Sequence, residues 1–95
     1  MLLVQHSMQI LQTTTFKKAV KKLYSDQKLV LDNVIKDIVN NPMLGTLKKG
    51  DLSNVYVYKF KINNQLMLLA YTYTKSDMTL LALGVHENFY RDLKK

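Results

Sequence analysis

The chain has 95 residues, of which 47% are hydrophobic and 22% are charged, with 3 Gly and 1 Pro. This composition excludes a disordered chain, and the length favours a single domain over residues 1–95. A net charge of +7, from 14 Lys and Arg against 7 Asp and Glu, predicts an acidic partner. Nucleic acid is the first candidate, an acidic protein the second and a membrane surface the third.

Two further absences in the sequence narrow the possible functions. There is no cysteine, which excludes disulfides, thiolate nucleophiles and cysteine-ligated zinc and fits a cytoplasmic protein. No apolar run reaches the roughly 18 residues that a membrane span needs. Metal binding by His6 and His86 is not expected either, because the two histidines are far apart in the sequence.

The N-terminal part of the chain predicts one strand followed by one helix. Residues 8–12 (MQILQ) form the expected strand, and residues 1–7 form a possible extension if Met8 is the native start. A threonine N-cap at residues 13–15 precedes a helix over residues 16–23. One face of this helix is apolar (Phe16, Ala19, Val20, Leu23) and the other is basic (Lys17, Lys18, Lys21, Lys22). Such a basic face is either a solvated surface or a nucleic-acid contact.

A second helix is predicted from Ser25 or Asp26 to about Asn40, where Asn41 and Pro42 end it. The connection to the first helix is short, so the two helices should form an antiparallel hairpin. Residues 43–54 are predicted to be a loop that carries Lys48 and Lys49. The expected buried side of the second helix comprises Leu29, Val30, Val34, Ile35, Ile38 and Val39.

Residues 55–62 show the alternation of a strand. Lys59 and Lys61 then lie on one face, opposite the face that carries the aromatic residues Tyr56, Tyr58 and Phe60. Two ammonium groups on one side of a sheet suit a row of phosphates. The alternative is that both lysines only protect a solvated or edge strand.

The last third of the chain predicts two central strands and a terminal helix. Residues 65–73 and 78–85 are nearly continuous in apolar residues, as expected for strands covered on both sides. Residues 86–95 can form a short helix in which His86 and Tyr90 are four residues apart and share a face. Together the elements predict an α+β fold: a small antiparallel or mixed four-stranded sheet with the helical hairpin on one face. The opposite face, with Lys59 and Lys61, is expected to stay open.

Residues 8–95 resemble the RelE/ParE superfamily of bacterial toxins. The resemblance is carried by FKKAVKKL, NP-x-x-G, LKKGDL, YKFKI and GVHENFYRDLK, in this order and spacing. It implies a small basic toxin of a type II toxin–antitoxin system, held inactive by a cognate antitoxin whose chain wraps it. The RelE, YoeB and YafQ branch of the superfamily cleaves mRNA in the ribosomal A site, whereas ParE toxins inhibit DNA gyrase.

Two motifs point to the nuclease branch. YKFKI is similar to the paired strand lysines of RelE, and GVHENFY is similar to the YafQ ending, in which an aromatic residue follows a histidine by four positions. The resemblance therefore implies a ribosome-dependent mRNA endoribonuclease without metal or cofactor, with a ParE-like gyrase inhibitor as the alternative. The implied catalytic residues are His86, Tyr90, Arg91, Lys59 and Lys61, and the implied RNA-binding residues are Lys48, Lys49, Lys59, Lys61 and Arg91.

Metal-free cleavage of RNA assigns a role to each of these side chains. His86 is the expected general acid or base, because histidine is the side chain whose unperturbed pKa lies near neutrality. Lys59, Lys61 and Arg91 would hold the phosphate and its developing charge. Tyr90 would stack on a base or share proton transfer. The alternative for His86 is capping of, or packing beside, the last helix, and the alternative for Tyr90 is packing against the hairpin.

Overall fold

The computed structural model describes residues 8–48 and 54–85. Three predicted features lie outside these residues: the extension at 1–7, the loop segment 49–53 with Lys49, and the terminal helix at 86–95. The elements are β1 (Gln9–Gln12), α1 (Thr14–Lys21), α2 (Ser25–Asn40), a 3-10 turn (Pro42–Leu44), β2 (Thr46–Leu47), β3 (Tyr56–Ile62), β4 (Gln65–Tyr73) and β5 (Asp77–Gly84).

The strands form one mixed sheet in the order β1-β5-β4-β3-β2. β1 runs parallel to β5, and the other neighbouring pairs are antiparallel. The predicted α+β class is confirmed, but the described residues form five strands rather than four. The additional strand is β2, which lies within the predicted loop and is only 2 residues long. Such a short strand cannot show the two-residue alternation that identifies longer strands.

The helical hairpin packs on one face of the sheet and forms the main core with it. Thr13 begins α1, because its hydroxyl accepts a hydrogen bond from the Phe16 N–H at 3.0 Å, and Phe16 is buried. The buried residues of this core are Phe16, Leu31, Val34, Ile38, Ile62, Met67, Leu69, Tyr71, Met78, Leu80 and Leu83. The helices therefore cover one side of the sheet, as the sequence predicts.

The predicted buried side of α2 is wrong at its N-terminal end. Leu29 is 65% exposed and Val30 is also exposed, whereas Leu31 is buried together with Val34 and Ile38. At about 100° per residue, Leu29 and Leu31 lie roughly 160° apart around the helix axis. Only one of the two can face the sheet, and in the structure this residue is Leu31.

The face of the sheet opposite the helices is not open throughout. Val57, Leu68, Ala70 and Ala82 are buried there and form a second apolar cluster. The expectation of an open face is therefore wrong for its centre. Near one margin of the sheet, however, Lys59 and Lys61 are exposed on this face.

A β-bulge interrupts the pairing of β4 with β5. Ala70 pairs with Ala82 and Tyr71 pairs with Leu80, which leaves Leu81 without a partner on β4. The bulge reverses the alternation along β5, so that Leu80 and Leu83 both join the helix-side core.

Thr13 forms two hydrogen bonds to the backbone of this bulge. Its N–H donates to the Leu80 carbonyl at 3.1 Å, and its hydroxyl donates to the Leu81 carbonyl at 2.6 Å. The residue that begins α1 therefore also binds two successive backbone carbonyls at the bulge.

Candidate functional site

Lys59 and Lys61 lie on β3 with both side chains exposed. The predicted alternation of this strand is confirmed: Tyr56, Tyr58 and Phe60 pack on the helix-side core, and the lysines lie on the opposite face. Side chains two residues apart on a strand are separated by roughly 7 Å along it. The two ammonium groups can therefore contact the same or neighbouring phosphates of one nucleic-acid strand.

The register of the sheet places the end of β5 beside these lysines. Lys59 pairs with Leu68, and Leu68 pairs with Gly84. Because neighbouring strands lie about 4.8 Å apart, the backbones of Lys59 and Gly84 are roughly 10 Å apart. Val85 is the last described residue, and His86 follows it in the sequence.

Lys48 belongs to the same side of the sheet. Its N–H donates to the Val55 carbonyl at 2.8 Å, which continues the β2–β3 pairing by one residue. Paired residues share a face, so Lys48 is on the face of Val55, Val57 and Lys59. Residues 55 and 59 are four positions apart, which places Lys48 roughly 13 Å along the strand from Lys59.

The structure also supports a purely structural role for the two strand lysines. β2 pairs only with Tyr56 and Val57, so within the described residues no strand covers the outer side of β3 from Tyr58 to Ile62. Lysines on an edge strand prevent pairing with another chain. Edge protection and phosphate binding are compatible, because both require exposed ammonium groups.

The other predicted site residues lie outside the described residues. These are His86, Tyr90, Arg91 and Lys49. Among residues 8–48 and 54–85, no group of His, Cys, Asp or Glu side chains could hold a metal ion. In the same part of the chain, no helix has the length and apolar character needed to cross a membrane.

A tyrosine cluster on the helix side was not predicted. The Tyr71 hydroxyl accepts a hydrogen bond from the Gly45 N–H at 2.9 Å and donates one to the Pro42 carbonyl at 2.7 Å. It therefore ties β4 to the segment that leads into β2 and Lys48. The sequence contains an indication of this contact, because a tyrosine in the middle of an apolar strand needs a hydrogen-bond partner for its hydroxyl.

The environment of the cluster shifts two tyrosine pKa values. Burial raises the pKa of Tyr71, although the hydrogen bond from Gly45 acts in the opposite direction. The hydrogen bond between the Tyr73 and Tyr56 hydroxyls, 3.4 Å apart, raises the pKa of Tyr73. The Tyr71 and Tyr73 hydroxyls therefore stay neutral at physiological pH.

The fold is similar to that of solved bacterial toxins. A chain of the intact E. coli RelBE toxin–antitoxin complex superposes with a TM-score of 0.68 at 18% identity, covering 85% of this chain and 99% of that one. The isolated E. coli RelE toxin superposes with a TM-score of 0.65 at 18% identity, covering 85% of this chain and 86% of that one. A conserved hypothetical protein of Helicobacter pylori, HP0892, superposes with a TM-score of 0.53 at 24% identity, covering 84% of this chain and 96% of that one. At these identities the likeness concerns the fold.

The sequence itself matches a family model over residues 10–94, which is most of the chain. That family is described as the ParE-like toxins of type II bacterial toxin–antitoxin systems. A comparison with curated proteins gives no significant match. The match extends from β1 through all the described helices and strands, and the fold is similar to that of RelE. The chain therefore belongs to the ParE-like toxins, within the RelE/ParE superfamily.

Proposed function

We propose that this toxin is an mRNA endoribonuclease that acts on the ribosome. The observation that carries the proposal is the exposed pair Lys59 and Lys61 on the sheet face beside the end of β5. A fixed strand holds the two cations side by side, as binding of a phosphate and its developing charge requires. The likeness of the fold to RelE and the similarity of YKFKI to the RelE strand lysines support the same branch.

The proposed reaction needs no external reactant. The ribose 2′-OH loses its proton and its oxygen attacks the adjacent phosphorus, forming a pentavalent phosphorane. The bond from phosphorus to the 5′ oxygen then breaks, which leaves a 2′,3′-cyclic phosphate, and the 5′ oxygen takes up a proton. His86 transfers protons in this scheme, and Tyr90 assists or stacks on a base. Lys59, Lys61 and Arg91 stabilise the phosphorane.

The surrounding surface would bind RNA beyond the scissile phosphate. Lys48 lies on the same face roughly 13 Å along the strand, a distance that spans neighbouring nucleotides. Lys49 follows it in the sequence. In this proposal Lys48 and Lys49 bind flanking phosphates and contribute to affinity rather than to the chemical step.

One specific observation favours a second candidate function. The matching family is described as ParE-like, and the resemblance to ParE toxins implies inhibition of DNA gyrase by surface contact. A gyrase inhibitor needs no acid, base or phosphate-binding pair. Its action would therefore not depend on the chemistry of His86 unless that residue lies in the contact surface.

In either case we propose a cognate antitoxin as partner and the cytoplasm as location. One of the similar structures is a toxin–antitoxin complex, and a net charge of +7 favours an acidic antitoxin segment. The exposed lysines of β3 are a suitable target for such a segment, because covering them would also block the proposed RNA site.

The distinguishing experiment is primer extension on cellular mRNA after brief induction of the wild-type chain or of His86→Ala. Gyrase-linked DNA breaks are measured in the same cells. A nuclease should produce new mRNA ends that decline by about 10²–10⁴-fold in the variant, the usual contribution of a general acid or base. DNA breaks without new mRNA ends would contradict the nuclease proposal and support gyrase inhibition.

A further inference from the structure

The outer face of α1 carries four exposed lysines. Lys17, Lys18, Lys21 and Lys22 all point away from the side that buries Phe16. No acidic residue lies in α1, so these charges have no neutralising partner within their own helix. Like charges three and four residues apart on a helix repel one another. A bound polyanion would relieve that repulsion.

This lysine face is separate from the proposed cleavage site. α1 packs against β5 on the helix side of the sheet, whereas Lys59 and Lys61 lie on the opposite side and two strands away. A helix with its side chains is about 10–12 Å across, and the sheet adds to that separation. One phosphate group therefore cannot contact both sets of lysines.

The chemistry of the face favours phosphates over a protein segment. An amphipathic peptide needs apolar anchor positions, and single-stranded RNA usually stacks on aromatic side chains. The exposed residues of α1 offer neither, because besides the lysines they comprise only Thr14 and Thr15. The exposed large apolar side chains of the described residues lie outside α1, with a single aromatic residue, Tyr24, following Lys22 by two positions. They are Leu11, Tyr24, Leu29, Val30, Met43, Leu44, Leu47 and Leu66. Backbone phosphates of base-paired RNA can be bound by cations alone.

We infer that the lysine face of α1 is a second RNA-binding surface, which binds the phosphates of a base-paired RNA while the β3 lysines hold the cleaved strand. This inference rests on the proposed function, in which the substrate is bound to a ribosome and base-paired RNA surrounds the toxin. The α1 surface would then raise the affinity for the ribosome without taking part in the chemical step.

The test compares two double variants that remove the same charge. Lys17→Gln/Lys21→Gln alters the α1 face, and Lys28→Gln/Lys36→Gln alters exposed lysines of α2, where Asp32 lies four residues from each. Glutamine retains the length and helix propensity of lysine closely enough to preserve both helices. Circular dichroism confirms that each full-length variant is folded.

The first measurement is binding to a blunt RNA duplex of about 16 base pairs as a function of salt concentration. The α1 variant should lower the slope of log K against log salt by about 2, one for each phosphate that the variant no longer neutralises. The α2 variant should change the slope by less than half as much. An equal change in both variants, or no duplex binding by the wild type, would overturn the inference.

A second probe distinguishes an acidic protein partner. Binding to a polyglutamate peptide is measured for the same three proteins. If the α1 variant loses polyglutamate binding but retains duplex binding, the face is a protein contact and the inference is wrong. Retained polyglutamate binding together with the lower salt slope on RNA supports it.

Cleavage of mRNA on purified ribosomes separates this inference from the proposed function. The α1 variant should raise the ribosome concentration needed for half-maximal cleavage about 10-fold and leave the maximal rate unchanged, as expected when binding is weakened equally in the ground state and the transition state. A lowered maximal rate with no change in that concentration would contradict the inference. If the wild type cleaves no mRNA, the proposed function is wrong. The duplex measurement then still shows whether the α1 lysines bind base-paired RNA.

Discussion

The Tyr71 hydroxyl joins the middle of the sheet to the segment before β2. Tyr71 is completely buried, and its hydroxyl contacts the Gly45 N–H and the Pro42 carbonyl. We expect Tyr71→Phe to lower the free energy of unfolding by about 1–3 kcal/mol, because the buried Gly45 N–H and the partly buried Pro42 carbonyl lose their partner. Tyr24→Phe is the control: Tyr24 is 76% exposed, and the same change there should have little effect. Denaturant unfolding of both variants measures the difference.

The raised pKa of Tyr71 predicts how this difference depends on pH. The unfolded chain releases the tyrosine proton near pH 10, while the folded chain retains it to higher pH. Stability is therefore fully present below pH 10 and decreases as the pH rises through the folded pKa. The advantage of the wild type over Tyr71→Phe should narrow above pH 10. A constant difference from pH 7 to pH 11 would contradict the assignment.

Gly45 offers an independent variant of the same contact. A Cβ at this position would lie 2.6 Å from the Tyr71 hydroxyl oxygen, so Gly45→Ala should also destabilise the fold, by about 1–3 kcal/mol. Gly84→Ala is the matched control, since no heavy atom lies within 4 Å of a Cβ there. Equal stability of the two alanine variants would argue against a tight contact at Gly45.

At the scale of elements, Thr13 connects three of them: β1, α1 and the bulge in β5. Its hydroxyl accepts from the first turn of α1 and donates to the Leu81 carbonyl. Thr13→Ala should lower the free energy of unfolding by about 1–3 kcal/mol, and Thr13→Ser should preserve it because serine is an equally good N-cap. Thr15→Ala is the control, at an exposed position inside the helix. A Thr13→Ala variant as stable as Thr15→Ala would disprove the role of this side chain.

The sequence predicts the long elements well and the short ones poorly. Both helices and the strands β1, β3, β4 and β5 follow from periodicity, caps and the break at Pro42. β2 does not, because a strand of 2 residues shows no alternation and is recognised only by its pairing with β3. The bulge at Leu81 is also unpredictable, since every residue from Leu80 to Leu83 is apolar and either alternation fits.

The sequence likewise predicts the local features of the candidate site but not those that depend on contacts between distant residues. The alternation of β3 is a local property, so the shared face of Lys59 and Lys61 follows from the sequence. The proximity of Gly84 to Lys59 depends on the register across two strand pairs, which a single sequence does not reveal. The buried centre of the same face depends on tertiary packing and was missed. The roles of His86, Tyr90 and Arg91 remain predictions.

At the scale of the whole molecule, two groups of lysines in the described residues lie on opposite sides of the sheet. The β3 lysines occupy one side, and the α1 lysines occupy the other. The basic residues behind the net charge of +7 therefore need not all bind the same ligand. Under the proposed action on the ribosome, one surface would bind the substrate and the other would bind its surroundings.

The most direct test of the nuclease proposal is the rate of mRNA cleavage on purified ribosomes at saturating toxin. Lys59→Gln/Lys61→Gln is compared with the wild type and with the charge-matched control Lys28→Gln/Lys36→Gln. If the β3 pair stabilises the phosphorane, its variant should cleave at least about 100-fold more slowly, and the control should cleave near the wild-type rate. Normal cleavage by the β3 variant, or none by the wild type, would contradict the proposal.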